Sequence, residues 1–422
     1  MASDPGPGAI GSGQRRLKVL LVGEAVTLAH VARPVALARA LGPERYELVM
    51  ACAPAYAGFM QDGDWAHHEL PSIAPSRFLD ALDQGAPVYD LATLSRYVED
   101  DLRLIDRVRP DVVVGDFRIS LAVSARLASV PYLAIANAYW CPGSEAAFPM
   151  PVMAMTRATR WLPLLVQSAL FGLGSSLLVP WQHCRPMNRL RERHGLPGLG
   201  ADLRRVYADA DHLLVPDIAE LYPLPGASVP HSYVGALTWS PQVPVPDGLP
   251  AHSDPAARPL VYVALGSSGP PAALDCVLQA LADEDVTVAA STAGATNPPA
   301  RPRNAVLERY LPGDAMSERA RLVVCNGGSL SVQQALMAGT PVLALATNMD
   351  QFLNMAPVAA CGAGIVLRTD RLSPETVRRA AQALLASVPA QKEAARLGAL
   401  LRRQPRPEIA FAAALASLLP RR

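Results

Sequence analysis

The sequence predicts an α/β protein built from two parallel-sheet domains. Apolar runs rich in Val, Leu and Ala alternate with segments of helical period along both halves of the chain, as a parallel sheet requires. The length of 422 residues, half of them hydrophobic, is enough for two full cores. A proline-rich stretch at 239–259 separates the two alternations and predicts an interdomain linker.

Composition narrows the class of partner and the compartment. A formal net charge of +1 leaves no basic stripe for phosphate backbones, which argues against nucleic-acid binding. Six cysteines lie far apart without a Cys-x-x-Cys pair, so they are expected to be buried thiols in a reducing compartment. They are Cys52, Cys141, Cys184, Cys276, Cys325 and Cys361.

The first domain is predicted to span 15–238, after a disordered leader at 1–14 that is rich in Gly, Ser and Pro. Arg15-Arg16 and the apolar run after it faintly resemble a signal peptide, but the run is short and meets Gly23-Glu24, so a first strand is favoured. The polar, proline-punctuated stretch Asp62–Thr93 predicts loops. The predicted strands are Lys18–Gly23, Tyr46–Ala51, Asp111–Gly115, Tyr132–Asn137, His212–Pro216 and Ser232–Leu237; the predicted helices are Ala32–Leu41, Leu94–Val108 and Ile119–Ala128.

One segment of the first domain is unusually apolar. Trp161–Cys184 carries no formally charged side chain and is long enough to span a bilayer, although Pro163, Gly172, Gly174 and Pro180 interrupt it. A helix pair packed on the first domain is favoured over a surface helix that dips into a membrane, and a true span is the least favoured. The flanking arginines suit anionic headgroups and solvent equally: Arg157, Arg160, Arg185, Arg189, Arg191 and Arg193. The predicted location is cytoplasmic, either free or at the inner face of the membrane.

The second domain is predicted at 260–404, followed by a terminal helix within 405–422. Its predicted strands are Leu260–Leu265, Val286–Ser291, Ala305–Leu307, Leu322–Val324 and Val342–Ala346. Its predicted helices are Pro374–Ala386 and Pro389–Arg402, and the terminal helix is Pro407–Leu418.

The stretch Val323–Gln351 carries the strongest functional signal. A buried strand stops at Asn326-Gly327-Gly328, and a helix follows whose first turn presents Ser329, Ser331 and unpaired backbone N–H groups. A helix N-terminus opened by glycine collects phosphate oxygens, which predicts a diphosphate seat at Gly327–Ser331. Asp350-Gln351, in a loop after the next strand, suit sugar hydroxyls. Phosphate followed by polyol is the layout of a nucleotide sugar.

These residues resemble the donor box of the nucleotide-sugar-dependent glycosyltransferases of the GT-B type, a UDP-glycosyltransferase-like family that acts on small molecules and lipids. In that family Asn326 is usually a histidine and Gln334 a glutamate. The resemblance implies two Rossmann-like domains facing each other across a cleft, with the last helix crossing back to the first domain. The matching positions are Tyr310-Leu311-Pro312, Asn326-Gly327-Gly328, Ser329, Ser331, Gln334, Gly339-Thr340-Pro341 and Asp350-Gln351.

The resemblance also implies roles for the donor residues. Tyr310 would lie against the nucleotide base, the Leu311 backbone would contact the base edge, and Gln334 would contact the ribose. Ser267 and Ser268, after a strand and Gly266, suit phosphate or sugar oxygens, although serines after strands are usually turn formers. No acidic pair has magnesium-site spacing, so neither a metal nor a further cofactor is expected.

His30 is the leading candidate for a catalytic base. It follows the first strand, at the carboxyl edge of the sheet, and Asp116 lies at the same edge of another strand. A carboxylate that accepts the Nδ1–H of an imidazole fixes its tautomer and raises its basicity. The family has a His–Asp pair at these two places. His67-His68 are competing bases, and Glu24 is either an acceptor-binding acid or a helix-start acid.

The leading hypothesis is an inverting glycosyltransferase that moves a sugar from a nucleoside-diphosphate sugar to a hydroxyl of a hydrophobic small molecule or lipid. The apolar region 138–180 suggests the hydrophobic acceptor, and 161–184 offers a peripheral membrane contact. Two alternatives stay open. One is a non-catalytic nucleotide-sugar binder that helps a partner transferase, and the other is a sugar-nucleotide epimerase.

Overall fold

The first half of the chain forms a seven-stranded parallel sheet within the described ranges. The computed structural model describes residues 15–60, 63–177, 179–250, 257–266, 271–293 and 300–419. Every neighbouring pair is parallel, in the order β3-β2-β1-β4-β5-β6-β7. The strands are β1 (Leu17–Gly23), β2 (Tyr46–Cys52), β3 (Ala66–Glu69), β4 (Val112–Asp116), β5 (Tyr132–Ile135), β6 (His212–Val215) and β7 (His231–Tyr233).

The second half forms a six-stranded parallel sheet in the order β10-β9-β8-β11-β12-β13, again within the described residues. Its strands are β8 (Leu260–Ala264), β9 (Thr287–Ser291), β10 (Ala305–Glu308), β11 (Leu322–Cys325), β12 (Val342–Ala346) and β13 (Gly364–Arg368). In both sheets the strand order reverses beside the first strand, which is the Rossmann arrangement whose ligands bind at the reversal point. The predicted α/β fold with two Rossmann-like domains is confirmed.

Helices cover both faces of each sheet, so the central strands are buried on both sides, as parallel sheets require. The first-domain helices are α1 (Ala29–Leu41), α2 (Pro75–Gln84), α3 (Leu91–Val108), α4 (Leu121–Leu127), α5 (Ala154–Ala158), α6 (Leu164–Leu177), α7 (Val179–Arg193) and α8 (Leu203–Tyr207). The later helices are α9 (Pro271–Leu281), α10 (Gly313–Arg319), α11 (Ser329–Met337), α12 (Met349–Ala360), α13 (Pro374–Ala386), α14 (Val388–Arg403) and α15 (Pro407–Leu418).

Three local predictions differ from the structure. The predicted loop region Asp62–Thr93 contains β3, α2 and the start of α3, because Pro75 at the first helical turn and Gly85 in the left-handed conformation delimit a real helix. Asp350-Gln351 lie in the first turn of α12 rather than in a loop. His30 is likewise already inside α1. The predicted leader at 1–14 and part of the linker at 239–259 lie outside the described residues.

The terminal helix α15 packs against α1 and β7 of the first domain. Phe411 is fully buried there, with its ring centroid 5.5 Å from that of Tyr46. The carboxyl edges of the two sheets also meet. Leu330 in α11 packs against the first-domain core, and Val152 N–H donates to the Thr347 carbonyl at 2.7 Å.

The apolar segment 161–184 forms a pair of helices, as favoured from the sequence, but it is the second, α7, that packs on the first domain, whereas α6 is largely exposed. Most of its large side chains are exposed. The helical stretch Leu164–Arg193, which comprises α6 and α7, is long and apolar enough to cross a membrane by length and composition, and little of its most apolar part is buried. Its second half, α7, packs on α3.

Candidate active site between the domains

His30 and Asp116 form a hydrogen-bonded pair where the strand order of the first sheet reverses. Asp116 ends β4 and pairs in register with Gly23 of β1, and His30 stands in the first turn of the following helix. The His30 Nδ1 to Asp116 Oδ1 distance is 2.8 Å, with the carboxylate fully buried and the imidazole 19% exposed. Arg33 Nη2, which can only donate, also lies 3.2 Å from Nδ1. The shorter contact is with the carboxylate, which only accepts; that hydrogen bond requires the proton on Nδ1 and leaves a lone pair on Nε2.

Arg33, one turn after His30, holds the same carboxylate from the other side. Its Nε and Nη2 donate to the two Asp116 oxygens at 2.7 Å each, and its Nη1 donates to Asn137 Oδ1 at 2.6 Å. Burial alone would lower the pKa of Arg33, but the ion pair with Asp116 outweighs it and the pKa is raised. Sequence reasoning missed Arg33; its spacing of three residues from His30 on one helix face was the available signal.

The network continues to the end of β6 through Asn137. Asn137 Nδ2 donates to Asp217 Oδ1 at 3.0 Å, and Ala138 N–H donates to Asp217 Oδ2 at 2.7 Å. Burial raises the pKa of Asp217 to about 6, although these two hydrogen bonds oppose the shift. The carboxyl ends of β4, β5 and β6 are therefore joined by one chain of buried polar side chains.

Phe117 forms an apolar wall beside the imidazole. Its ring stacks on His30 at a centroid distance of 4.6 Å and also contacts the rings of Phe78, Tyr89 and Tyr207. These four rings are called the aromatic cluster below. Phe117 has φ of +57°, a conformation that costs a non-glycine residue about 1–3 kcal/mol and that persists only when the surroundings hold it.

Trp140 links the aromatic cluster to the second domain, and sequence reasoning missed it. Its ring meets Tyr207 edge-on at 5.3 Å, and its Nε1–H donates to Asp350 Oδ1 at 2.8 Å. One oxygen of Asp350 is thus occupied, and the other has no hydrogen-bond partner among the described residues. Tyr139, the residue before Trp140, lines a cavity of about 400 Å³ whose walls are mostly carbon, from Pro149, Leu221, Pro223, Leu353 and Pro357 among others.

The glycine bend of the second domain sits where its own strand order reverses, after β11. Gly327 N–H lies 3.3 Å from Cys325 Sγ, and Gly328 N–H donates to Asn326 Oδ1 at 3.0 Å. These two amides are therefore engaged inside the bend, which corrects the predicted seat. Val332 N–H makes the first helical bond, so within the described part of the chain the amides left open are those of 329–331 in the first turn of α11.

Gly327 needs to be glycine for two reasons. Its φ is +85°, and a Cβ would lie 3.1 Å from Met355 Cγ and 3.2 Å from Ala344 Cβ. Asn354 Nδ2 donates to the Gly327 carbonyl at 2.9 Å, so α12 holds the bend in place. The backbone conformation of the predicted phosphate site is therefore fixed by the side chains around it.

The two glutamines predicted to bind donor mainly support structure. Gln334 Nε2 donates to the Trp239 carbonyl and to Ser240 Oγ, both at 3.0 Å, and so holds the linker. Gln351 Oε1 accepts from Thr347 N–H at 2.7 Å and caps α12. Their predicted contacts with ribose and sugar stay predictions.

The remaining candidates divide clearly. Tyr310 is half-buried beside Arg309, whereas Leu311 is buried in the second core. Ser329 is buried and Ser331 half-buried at the start of α11. Ser267 and Ser268 lie outside the described residues.

The competing acid and bases do not enter the site. Glu24 is fully buried and accepts hydrogen bonds from Tyr97 Oη at 2.8 Å and Arg118 Nη1 at 3.0 Å, so it does not face an acceptor. His67 and His68 lie on the edge strand β3, with β2 between them and β1. Among the residues that the structure describes, no group of three His, Cys, Asp or Glu side chains could hold a metal ion.

The start of α11 meets the first-domain core that also contains the helix of His30. Leu330, between the open amides of Ser329 and Ser331, packs against the core cluster that contains Ala25 and Val31, the residue after His30. A hydroxyl group at Nε2 could lose its proton to the imidazole while a leaving phosphate is held by the helix N-terminus. The arrangement suits group transfer from a phosphate leaving group.

Comparisons with known proteins decide the family. The chain is 46% identical over 392 residues, 92% of its own length and 85% of the other, to the "PGL/p-HBAD biosynthesis rhamnosyltransferase" of Mycobacterium bovis (strain BCG / Pasteur 1173P2). It is 44% identical over 406 residues, 94% of each chain, to the "PGL/p-HBAD biosynthesis glycosyltransferase" of Mycobacterium tuberculosis (strain ATCC 25177 / H37Ra). This chain belongs to the GT-B glycosyltransferases.

Two further likenesses agree with this family. Residues 275–415 of this glycosyltransferase match the family described as "Erythromycin biosynthesis protein CIII-like, C-terminal domain". Its fold matches the solved "Spinosyn Rhamnosyltransferase SpnG" with a TM-score of 0.68 at 17% identity, covering 94% of this chain and 99% of the other. The 46% and 44% identities to named glycosyltransferases make this chain an enzyme of that class. The resemblance predicted from the sequence is confirmed.

Proposed function

We propose that this glycosyltransferase moves a sugar from a nucleoside diphosphate to a hydroxyl of a hydrophobic small molecule or lipid, with inversion at the anomeric carbon. The observation that carries the proposal is the His30–Asp116 pair at the reversal point of one sheet, opposite the open helix N-terminus at the reversal point of the other. Base and leaving-group seat on opposite sides of a cleft suit a single in-line displacement.

In the proposed reaction His30 is the general base. The acceptor O–H gives its proton to His30 Nε2, and the oxygen forms a bond to the anomeric carbon from the side opposite the diphosphate. The bond between that carbon and the diphosphate oxygen breaks, and the diphosphate leaves with the electron pair. Asp116, fixed by Arg33, keeps the imidazole in the productive tautomer and stabilises its positive charge.

The second domain stabilises the departing charge in this proposal. The open amides and hydroxyls of Ser329 and Ser331, together with the helix dipole, would bind the diphosphate. Asn326, whose Oδ1 accepts from Gly328 N–H, would lie beside the phosphates and add a neutral hydrogen bond. The unengaged oxygen of Asp350 would accept from a sugar hydroxyl, and Tyr310 would lie against the base. No metal is needed for these contacts.

The relatives suggest which donor to try first. One is named a rhamnosyltransferase, and the structural neighbour SpnG has also been solved "complexed with thymidine diphosphate". Thymidine-diphosphate rhamnose is therefore our first proposed donor. Under the same proposal the acceptor is apolar, because the aromatic cluster lies against His30 and the cavity beside Tyr139 is lined mostly by carbon. A lipid acceptor would be met at a membrane, which makes the inner face of the membrane the proposed place of work.

The test is transfer with a stereochemical readout. We expect the enzyme to convert thymidine-diphosphate rhamnose and a panel of hydrophobic phenols and alcohols to glycosides whose anomeric configuration, measured by NMR, is opposite to that of the donor. Retained configuration would overturn the single displacement. Thymidine diphosphate binding in calorimetry without transfer would favour the helper hypothesis, and an epimeric nucleotide sugar formed without acceptor would favour the epimerase.

A further inference from the structure

The first-domain helix α6 displays large apolar side chains to solvent. Trp161, just before it, is 77% exposed, Leu165 84% and Leu173 71%; Leu164, Val166, Leu170 and, in α7, Trp181 are exposed as well. On the opposite side the buried Gln167 fastens the helix through its Nε2, which donates to the Thr156 carbonyl at 3.3 Å. A contiguous apolar patch of this kind on a folded domain marks an interaction surface.

The charged residues within the segment that carries this patch have one sign. From Ala146 to Arg191 the sequence contains five arginines and no Asp, Glu or Lys. Arg157 and Arg191 are paired with Asp83 and Asp209. The other three, Arg160, Arg185 and Arg189, are exposed and have no ion pair among the described residues.

Arg185 and Trp181 show how the two features combine. The guanidinium lies over the indole ring, 4.8 Å from its centroid, so a cation and a large amphipathic ring occupy one spot on the surface. Tryptophan and arginine together suit the boundary between acyl chains and anionic headgroups. The indole ring has an apolar body and a polar N–H, and the guanidinium can pair with lipid phosphate. An acidic or neutral polar protein surface would match the cations but not the exposed leucines.

The surface can lie on a bilayer but not cross it. Cys184, Met187 and Leu190 of α7 are buried in the core formed with α3, and Arg191 is buried against Asp209. A span would require this half of the helix to leave the core. An interfacial helix instead buries its apolar face about 5–10 Å into the headgroup boundary and keeps its cations at the surface.

The same helix leads towards the proposed base. His183 and Pro186 of α7 share a small pocket with Tyr89 and Tyr207 of the aromatic cluster. Phe117 completes that cluster and stacks on His30. The helix α7, which follows α6, is therefore in contact with the aromatic cluster that ends at the imidazole.

We infer that α6 with Trp161, Trp181 and the three exposed arginines docks on a bilayer that contains anionic phospholipid, and that this docking presents a lipid acceptor to the site. Docking itself needs no donor or acceptor. The delivery of an acceptor rests on the proposed function above.

Vesicle sedimentation tests the docking. The full-length protein should co-sediment with vesicles of phosphatidylcholine mixed with phosphatidylglycerol, and less with phosphatidylcholine alone, with weaker binding as salt rises. The triple variant Leu165→Gln, Leu170→Gln, Leu173→Gln should lose at least about tenfold in partitioning, because each exposed leucine contributes apolar burial only in the bilayer. The arginine variant R160Q/R185Q/R189Q should lose the preference for anionic vesicles.

Matched controls use exposed residues elsewhere. Val388→Gln with Ile409→Gln removes comparably exposed apolar side chains far along the chain, and both should leave vesicle binding unchanged. Failure of the native chain to sediment with either vesicle would overturn the inference. So would a dimer, seen in ultracentrifugation without vesicles, that the leucine triple variant dissolves, because the patch would then belong to a second copy.

Activity separates this inference from the proposed function. The leucine triple variant should keep native turnover on a water-soluble hydrophobic acceptor and lose turnover on an acceptor embedded in vesicles. Sugar transfer without vesicle binding by the native chain would contradict the docking inference and support the proposed reaction. Vesicle binding without sugar transfer would support the docking inference and contradict the proposed reaction.

Discussion

The two sheet edges that meet in the cleft are built in opposite ways. At the first, ionisable side chains carry the chemistry, and Arg33, Asn137 and Asp217 hold them in a buried network. At the second, the open groups are main-chain amides, and the nearby polar side chains mostly hold the backbone in shape. One edge therefore depends on the identity of a few side chains, whereas the other depends on backbone conformation.

The difference explains how the chain can depart from its family at Asn326 and Gln334. At the second edge Asn326 closes the bend and Gln334 ties down the linker, and neither task needs a charge. At the first edge a change of residue would break an ion pair with no water to replace it. Substitutions should be tolerated very differently on the two sides of the cleft.

The largest effect on stability is expected at Arg33. Arg33→Gln leaves the buried Asp116 carboxylate without its bidentate partner, and breaking a buried pair costs about 3–5 kcal/mol in the free energy of unfolding. Arg103→Gln is the control, because Arg103 pairs with Asp100 on the surface and such pairs contribute about 0–1 kcal/mol. Denaturant unfolding measures both. Equal, small losses would mean that the first edge is not held by this network.

The next effect tests the backbone edge. Gly327→Ala places a methyl group about 3.1 Å from Met355 Cγ, in a residue whose φ is +85°. The bend should therefore shift. Affinity for thymidine diphosphate should fall at least about tenfold, which is about 1.4 kcal/mol. Gly362→Ala is a close control, because Gly362 has the same φ and no atom within 4 Å of the added Cβ.

Calorimetry with both variants separates strain from shape. Gly362→Ala should lose about 1–2 kcal/mol of stability from the left-handed conformation and bind thymidine diphosphate as the native chain does. If Gly327→Ala also binds normally, the bend is not the diphosphate seat.

A further effect is a pH dependence of stability confined to the first edge. Burial raises the pKa of Asp217 to about 6 from an ordinary 3.8, so the folded state keeps the proton longer than the unfolded state. Its contribution to stability is present in full below the ordinary pKa and is lost as pH rises to about 6, a change on the order of 3 kcal/mol. We expect the free energy of unfolding of Asp217→Asn, measured from pH 3.8 to pH 6, to lack this fall with rising pH. Parallel curves for the two proteins would contradict the assignment.

The sequence predicted those parts of the site whose residues lie close together along the chain. The donor box from Asn326 to Gln351 follows one strand, turn and helix after another, so its placement could be predicted from residue order. The His30–Asp116 contact could be predicted across 86 residues, because both follow the carboxyl ends of parallel strands. The bond of Trp140 to Asp350, across 210 residues, depends on how the two domains meet, and no local pattern signals it.

Other misses have similar physical causes. The engagement of the Gly327 and Gly328 amides depends on side-chain rotamers inside the bend, which spacing does not determine. The exposure of α6 was missed because an apolar helix has the same sequence whether a core or a bilayer covers it. The helix α2 was missed because the prolines of Asp62–Thr93 were taken to mark loops. One of them, Pro75, lies in the first turn of α2, a position that proline favours.

The central claim, that the first edge supplies the base and the second the anion seat, is tested most directly at His30. His30→Ala and the control His67→Ala should each be measured for sugar transfer and, in the same preparations, for thymidine diphosphate affinity. We expect His30→Ala to lose about 10²–10⁴-fold in turnover with unchanged affinity, because only the proton acceptor is removed, while His67→Ala keeps both. Near-native turnover of His30→Ala would contradict the assignment of the base.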